Sequence, residues 1–327
     1  MKLPATPIRL VLACTLALGA LAPALAADAY PSRPVTFVVP YPPGGATDVN
    51  GRLLAQKMSE KLGQPVVVEN RAGAGTIVGA TYVAKAAPDG YTLLLSSGTT
   101  FSINPVLRPN LAYDPIKSFE PIGIAGRTGL ILLANNQVPV QTVKQFVDYV
   151  KAAPGAYAYG SFGSGTTSQF AGETILAATG TQMTHVPYKG SAPAMTDLMG
   201  GQVPFTVDTV SAAIPQLKTG KIKAIAVTTA KRSALLPDVP TFAESGYASI
   251  NMDTWLALVA PNGLPKDVKA KLEGALAAVM ADPDVRSKLN AQGMEPDYLD
   301  GAATAELIKR ELPQMKALAE KAHITAD

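Results

Sequence analysis

The fold is decided at residues 35–48, whose sequence is VTFVVPYPPGGATD. Val35–Val39 is a run of β-branched and aromatic residues, which favours a buried strand. A proline-rich corner and a pair of glycines follow, where another backbone or a ligand can approach closely. Thr47 or Asp48 can then cap a helix. Because the first N–H groups of a helix lack partners within it, this corner predicts an anion site built from backbone groups.

The first 26 residues have the composition of a secretory signal peptide. Lys2 and Arg9 give a positive start, residues 10–21 are apolar, and Ala24–Ala26 has the small-residue pattern of a cleavage site. The apolar run is too short for a comfortable membrane-spanning helix. We therefore expect export to the periplasm and cleavage near Ala26.

Composition and charge argue against several classes of partner. The chain has 28 Lys and Arg against 25 Asp and Glu, and removal of the leader takes away two basic residues, so the net charge falls from +3 to +1. A nearly neutral chain without a basic cluster argues against nucleic acid and anionic membranes as partners. The single cysteine, Cys14, lies in the leader and leaves open the alternative of a lipoprotein signal. If cleavage occurs after Ala26, the mature chain has no cysteine and therefore no disulfide, and its core alone must stabilise it.

Two successive series of strands and helices predict an α/β protein with two domains. The order βαβαβ over residues 35–96 predicts a parallel sheet with right-handed crossovers. A second such series occupies residues 157–229, and the chain from Pro265 onward is almost entirely helical. The expected domains are 27–126 and 230–327, which form a discontinuous first domain that the C-terminal helices rejoin, and 127–229, which form the second.

Three corners share one pattern, in which a strand end is followed by glycine with Ser or Thr and then by a helix start. They lie at residues 43–48, 96–100 and 161–167. Their N–H and hydroxyl groups could bind carboxylate oxygens by charge-assisted hydrogen bonds. Helix capping explains any single corner, but three of them at strand ends favour a common ligand site. Asp208 ends another strand, and it could accept from a ligand or cap the helix that starts near Ser211.

Catalytic motifs are scarce. The histidines are His185 and His323, and neither Gly-x-Ser-x-Gly nor a zinc-ligand pattern occurs. A hydrolase that uses Ser164 and His185 remains an alternative, and it predicts that Ser164→Ala loses an activity while binding is retained. We therefore expect that the protein is not an enzyme and that it has no metal site.

The sequence GAGTIVG at residues 73–79 follows a strand and opens a helix, as a dinucleotide-binding fingerprint does. Its spacing is G-x-G-x-x-x-G, however, and Glu69 precedes the motif instead of following it by about 20 residues. Close packing of a helix on the sheet explains the small residues better. No cofactor is therefore expected.

Several segments in combination resemble the Bug family, the periplasmic solute-binding proteins of tripartite tricarboxylate transporters. The resemblance covers essentially the whole chain after the leader. Its segments are VPYPPGGATDVNGRLLA at 39–55, VVVENRAGAG at 66–75, AKAAPDGYTLL at 84–94, NPVL at 104–107, VPYKGSAPAMTDLMGGQV at 186–203 and KAIAVTTAKRSALLPDVPTFAESG at 223–246.

The resemblance implies a type II periplasmic-binding-protein fold, with two α/β lobes, each a βα sheet with flanking helices, around a ligand-binding cleft. It implies that carboxylates are held by backbone groups and ordered waters instead of Arg. The expected ligand-binding residues are Tyr41, Pro43, Gly44, Gly45, Ala46, Thr47, Asp48, Ser97 and Thr99 from the first lobe and Ser164, Gly165, Thr166, Thr167 and Asp208 from the second. Tyr41 stands where the family often has Phe, and Ala46 where a third Gly is common, so the family's substrate does not carry over.

These observations predict a monomeric solute-binding protein that captures a small carboxylate by closure of its lobes. Dicarboxylates, tricarboxylates, acidic amino acids and aromatic carboxylates all suit such a cleft. The expected partners are this ligand and the membrane permease subunits of a tripartite tricarboxylate transporter. The alternative is a periplasmic protein that senses the ligand and signals to a partner.

Overall fold

One long strand, Phe119–Asn135, belongs to both halves of the molecule. The structure is a computed structural model that describes residues 30–325. The first part of the strand, through Gly129, pairs with Asp253–Pro261, and the part from Leu130 pairs with two strands of the other half. A single sheet therefore runs through two α/β lobes.

Strands and helices alternate along most of residues 30–325. The strands are β1 (Val35–Val39), β2 (Val66–Asn70), β3 (Thr92–Ser97), β4 (Phe119–Asn135), β5 (Ala158–Ser161), β6 (Thr184–Pro187), β7 (Phe205–Thr209), β8 (Ile222–Val227), β9 (Asp253–Pro261) and β10 (Leu299–Asp300). The helices are α1 (Ala46–Leu62), α2 (Ile77–Ala84), α3 (Asn104–Leu107), α4 (Val143–Lys151), α5 (Thr167–Thr179), α6 (Ser191–Met199), α7 (Val210–Leu217), α8 (Lys266–Ala281), α9 (Pro283–Ala291) and α10 (Gly301–Lys321). A π-helical turn, Thr99–Ile103, leads into α3.

The sheet of the first lobe is mixed. Strand β1 pairs in parallel with β2 and β3, which confirms the predicted βαβαβ unit. The prediction covered only residues 35–96, and the sheet as a whole is mixed because β9 is antiparallel to both β3 and β4. The chain comes back from the second lobe into β9, so β9 begins beside the end of β3. Apolar side chains of α1 and α8 cover one face of this sheet.

The second lobe repeats the arrangement. Strands β7, β5 and β6 are parallel neighbours, and β4 is antiparallel to β7 and β8. A core that includes Phe146, Phe170 and Phe205 packs between the sheet and its helices. The two lobes therefore present their parallel strand ends toward each other.

Two neighbouring extended segments connect the lobes. Beside β4, Thr228 donates its N–H to the carbonyl of Leu130 and accepts from the N–H of Met252, both at 2.9 Å. The Thr228 hydroxyl also donates to the carbonyl of Met252 at 2.7 Å. A rotation of one lobe against the other would have to change the backbone of these two segments and the packing of the C-terminal helix, which also contacts both lobes.

The C-terminal helices contact both lobes. Leu307 and Ile308 of α10 pack in a core of the first lobe, whereas Ala319 and Ile324 pack in the core of the second. The domain bounds 27–126, 127–229 and 230–327 stay a prediction. The leader and Cys14 lie outside the described residues, and within 30–325 no helix is long and apolar enough to span a membrane.

A matched pair of glycine substitutions tests this packing. A Cβ on Gly172 of α5 would lie 2.4 Å from the ring of Tyr159, whereas one on Gly274 of α8 meets nothing within 4 Å. Gly172→Ala should lower the free energy of unfolding by about 1–3 kcal/mol through overpacking. Gly274→Ala should raise it by about 0.5–1 kcal/mol, because alanine loses less backbone entropy. Denaturant unfolding measures both, and equal effects of the two substitutions would contradict the packing.

Candidate functional site

A cavity lies between the lobes where β1, β3 and β7 end. The space between the surrounding protein atoms is about 570 Å³, part of it open to solvent, and about 40 Å³ of it admits a water-sized group. The first lobe lines it with Tyr41, Pro42, Pro43, Gly45, Ala46, Thr47, Ser97, Thr128, Thr254, Trp255, Leu256 and Met294. The second lobe contributes Phe162, Thr167, Gly190, Ser191, Ala192 and Thr209.

Several helices begin at the wall of this cavity. Helices α1, α5 and α6 start there at Ala46, Thr167 and Ser191. Within residues 30–325 no side chain caps α1 or α6, whereas at α5 the N–H of Thr167 donates to the Thr99 hydroxyl. At a fourth terminus, α7, the hydroxyl of Thr209 accepts from the N–H of Ala212. Free N–H groups and the positive ends of helix dipoles favour a bound anion.

Among the described residues, the cavity wall has hydroxyl and aromatic groups but no Lys, Arg, His, Asp or Glu. The Tyr41 hydroxyl lies 2.7 Å from Ser97 Oγ. Burial raises the pKa of Tyr41 to about 12, although bonds to Ser97 and Thr99 oppose the shift. The phenol is therefore neutral at physiological pH. An anion in this cavity would therefore be bound by backbone N–H and hydroxyl groups. The rings of Tyr41, Phe162 and Trp255 would contact the apolar part of the ligand.

Direct contacts join the lobes around the cavity. The N–H of Thr167 in the second lobe donates to the Thr99 hydroxyl in the first at 3.1 Å. Asn50 Nδ2 donates to Ser211 Oγ at 3.2 Å on another side. The rings of Tyr41 and Phe162 meet edge to face with centroids 6.2 Å apart. The lobes are thus closed on each other.

Asp48 lies behind the glycine corner and is not part of the cavity wall. It accepts from the N–H of Gly44 at 2.9 Å, from both Arg52 Nε and Nη2, and from Asn70 Nδ2. Burial alone would raise its pKa, but the bonds from Arg52, Gly44 and Asn70 together lower it. The ionised carboxylate fixes the corner that carries Gly44.

Asp208 is fully buried at the end of β7. Its Oδ1 accepts from Ser191 Oγ at 2.9 Å and from the N–H of Thr209 at 2.7 Å, while Oδ2 has no partner within residues 30–325. Burial raises the pKa of Asp208 to about 7, against the opposing bonds from Thr209 and Ser191. The alternative that Asp208 caps α7 is wrong, because Thr209 is that cap. Asp208 reaches the cavity through Ser191.

The predicted site residues therefore divide into two sets. Those that line the cavity are Tyr41, Pro43, Gly45, Ala46, Thr47, Ser97 and Thr167. Those that do not are Gly44, Asp48, Thr99, Ser164, Gly165, Thr166 and Asp208. Of the second set, Ser164 and Thr166 line an outer groove instead, and Thr166 donates its hydroxyl to the carbonyl of Gly163 at 2.6 Å.

Sequence reasoning missed part of the wall. Gly190 precedes α6 and Ser191 begins it, with Pro193 in the first turn, so the two residues share the corner pattern and could have been found. Thr254 and Trp255 lie within a strand and carry no local signal. They reach the cavity only because β9 is antiparallel to its neighbours.

The residues considered for catalysis lie elsewhere. His185 Nε2 is 2.7 Å from Ser161 Oγ, and the His185 ring stacks on Tyr159. Neither His185 nor Ser161 lines the cavity. Across residues 30–325, no group of three or more His, Cys, Asp or Glu could hold a metal ion.

Comparison with known proteins gives a family match over most of the chain. The model described as "Tripartite tricarboxylate transporter family receptor" matches residues 51–324. The chain is also similar to the periplasmic binding protein BugD, with 39% identity and a TM-score of 0.86, over 91% of this chain and 100% of that one. This similarity confirms the two-lobed α/β fold.

Two similar solved structures contain carboxylates. Rpa4515 from R. palustris, determined with adipate, is 34% identical with a TM-score of 0.88, over 90% of this chain and 99% of that one. MatC (Rpa3494) from Rhodopseudomonas palustris, determined with bound malate, is 34% identical with a TM-score of 0.85, over 88% and 99%.

Replacement of Asp48 should weaken the fold in a pH-dependent way. Because the folded-state pKa lies below the unfolded value, the carboxylate stabilises the protein above about pH 4 and loses this effect as the pH falls through the folded value. Asp48→Asn should lower the free energy of unfolding by about 1–3 kcal/mol at neutral pH. Denaturant unfolding at several pH values should show this difference shrink in acid, and a constant difference would contradict the assignment.

Asp208→Asn should have the opposite pH signature. The folded-state pKa of Asp208, about 7, exceeds the unfolded value, so between about pH 4 and pH 7 the native state keeps a proton that the unfolded chain releases. The wild type therefore loses stability as the pH rises through this window. The free energy of unfolding of Asp208→Asn, measured by denaturant unfolding, should therefore increase relative to wild type over the same range. Parallel pH profiles of the two proteins would refute the raised pKa of Asp208.

Proposed function

This chain belongs to the tripartite tricarboxylate transporter receptor family, and we propose that it captures a small carboxylate for delivery to the membrane permease of such a transporter. The family places it among periplasmic solute-binding proteins, not enzymes. The hydrolase alternative loses its support, because neither His185 nor Ser164 lines the cavity. We further propose that the chain acts as a monomer after removal of residues 1–26.

The observation that carries the proposal is the convergence of the uncapped starts of α1 and α6 on a cavity to which residues 30–325 contribute no charged side chain. Helices α1 and α6 face each other across it, since the nearest atom to a Cβ on Gly45 would be in Ser191, at 4.0 Å. A carboxylate between them could accept from N–H groups of both lobes in charge-assisted bonds. The adipate and malate bound by the two relatives support this class of ligand.

Binding and closure are coupled in this arrangement. The wall is assembled from both lobes, so the full set of ligand contacts forms only when the lobes meet. A ligand shifts the population toward the closed form by its difference in affinity for the two forms. The closed form, with Thr99 against Thr167, is then the state that a permease would recognise.

The proposal is tested first with a panel of carboxylates. Titration calorimetry of the mature protein with butanedioate, malate, hexanedioate, citrate, aspartate and benzoate should give saturable heat with at least one of them. The same ligand should raise the unfolding temperature by mass action. The absence of both effects across the panel would overturn the proposal.

A proline substitution tests the role of the backbone. Proline at the first position of a helix removes one N–H yet leaves the helix intact, and Gly45 already has the extended conformation, φ −80 and ψ 171, that precedes proline. Ala46→Pro should weaken carboxylate binding by about tenfold or more. Lys266→Pro, at the first position of α8 away from the cavity, is the matched control. Equal affinities of the two variants would contradict backbone binding.

Uptake and sensing are separated in cells. If the chain serves uptake, deletion of its gene should abolish accumulation of the labelled ligand, and the wild-type gene should restore it. Unchanged accumulation together with loss of a ligand-dependent response would favour the sensing alternative.

A further inference from the structure

The single tryptophan of the chain, Trp255, belongs to the cavity wall. It lies on β9, and only 2% of its surface is exposed. Its ring stacks on that of Phe101, with the centroids 5.7 Å apart and an angle of 16° between the planes. The indole is a large apolar part of the wall, so its orientation sets the shape of the cavity on this side.

The indole N–H donates to a carboxylate that lies outside the cavity. Trp255 Nε1 is 3.0 Å from Oε1 and 3.0 Å from Oε2 of Glu311. Glu311 is not part of the cavity wall, and it lines a separate polar pocket that Trp255 and Thr167 also border. An indole has only this one donor. Because Glu311 accepts it, the ring contributes carbon atoms to the cavity and no hydrogen-bond donor.

Glu311 is itself held in place. The Ser102 hydroxyl, in the π-helical turn, donates to Glu311 Oε2 at 2.8 Å. Glu311 belongs to α10, whose Leu307 and Ile308, about one turn earlier, pack in the same core as Trp255. A second donor and a packed helix therefore fix the carboxylate that fixes the indole.

We propose that Glu311 is a positioning residue for ligand binding, which holds the indole of Trp255 so that ring carbons and not the N–H face the ligand. This inference rests on the proposed function. The hydroxyl of Thr254 lines the same cavity and has no hydrogen-bond partner within residues 30–325. Without Glu311 the buried N–H would lack its acceptor, and the ring would turn toward a hydroxyl of this kind. The wall would then no longer fit the apolar part of a carboxylate ligand.

A double-mutant cycle of affinities tests whether Glu311 acts through Trp255. Calorimetry with hexanedioate and with malate compares wild type, Glu311→Leu, Trp255→Phe and the variant with both substitutions. Glu311→Leu should weaken each probe that wild type binds by about tenfold, because the indole loses its acceptor. In the Trp255→Phe background there is no N–H to hold, so the same substitution should change the affinity by less than about twofold.

Two further variants are matched controls. Glu311→Gln keeps an oxygen acceptor at the same position and should retain the affinity within about threefold. Glu320→Leu makes the same exchange at an exposed position of α10 and should leave the affinity within about twofold.

The indole N–H gives a readout that does not depend on a ligand. Because the chain has one tryptophan, ¹⁵N-labelled protein gives a single indole signal. Glu311→Leu should move this signal more than Glu320→Leu does, and a bound probe should shift it in wild type. If Glu311→Leu does not fold, Ser102→Ala takes its place, because it removes the second hydrogen bond to the carboxylate and leaves the indole intact. It should move the indole signal and weaken binding about threefold.

The outcomes separate this inference from the proposed function. Unchanged affinity in Glu311→Leu, or in Ser102→Ala where that variant replaces it, would overturn the inference. So would an equal loss of affinity in the Trp255→Phe background, which a purely structural role of Glu311 predicts. Neither result affects the proposed function, which depends on binding by wild type and on its loss in Ala46→Pro. The absence of binding of both probes to wild type would overturn both proposals.

Discussion

The free N–H groups at helix starts are the constraint on which the rest of this molecule depends. Their partners lie outside the helices, so the termini of α1 and α6 remain unsatisfied unless water or a ligand occupies the space between the lobes. The sheet topology turns this local property into a site. Because the parallel strands of both lobes point toward each other, the helices that follow them begin at one common cavity.

Charged side chains support this site from behind. Asp48 organises the corner before α1 through Gly44, Arg52 and Asn70, and Asp208 orients Ser191 at the start of α6. Neither carboxylate belongs to the wall that an anionic ligand would touch, so neither repels it at contact distance. The cations Arg108 and Lys189 are likewise kept out of the cavity and line the adjacent groove. The division leaves a neutral inner cavity beside a positive outer groove.

Local sequence patterns predicted those features that arise from neighbouring residues. The glycine corner at 43–48 and the βαβαβ order follow from chain-local rules, and the structure contains both. What depends on distant pairing could not be predicted this way. Trp255 lines the cavity because β9 crosses from the other lobe, and Ser164 faces the outer groove because Gly163 and Gly165, with φ angles of 146 and 69, turn the loop away. Periodicity alone predicted two α/β units. The prediction that they form two lobes around a cleft came from the resemblance to the Bug family.

The central claim is that backbone amides at facing helix termini hold the anion, and amide chemical shifts test it most directly. In a titration of ¹⁵N-labelled protein with hexanedioate or malate, the account predicts that the largest amide shifts include Ala46 and Thr47 of α1 and Ser191 and Ala192 of α6. These shifts should saturate together with the calorimetric binding curve. Saturable binding that leaves those four amides unmoved would contradict the claim.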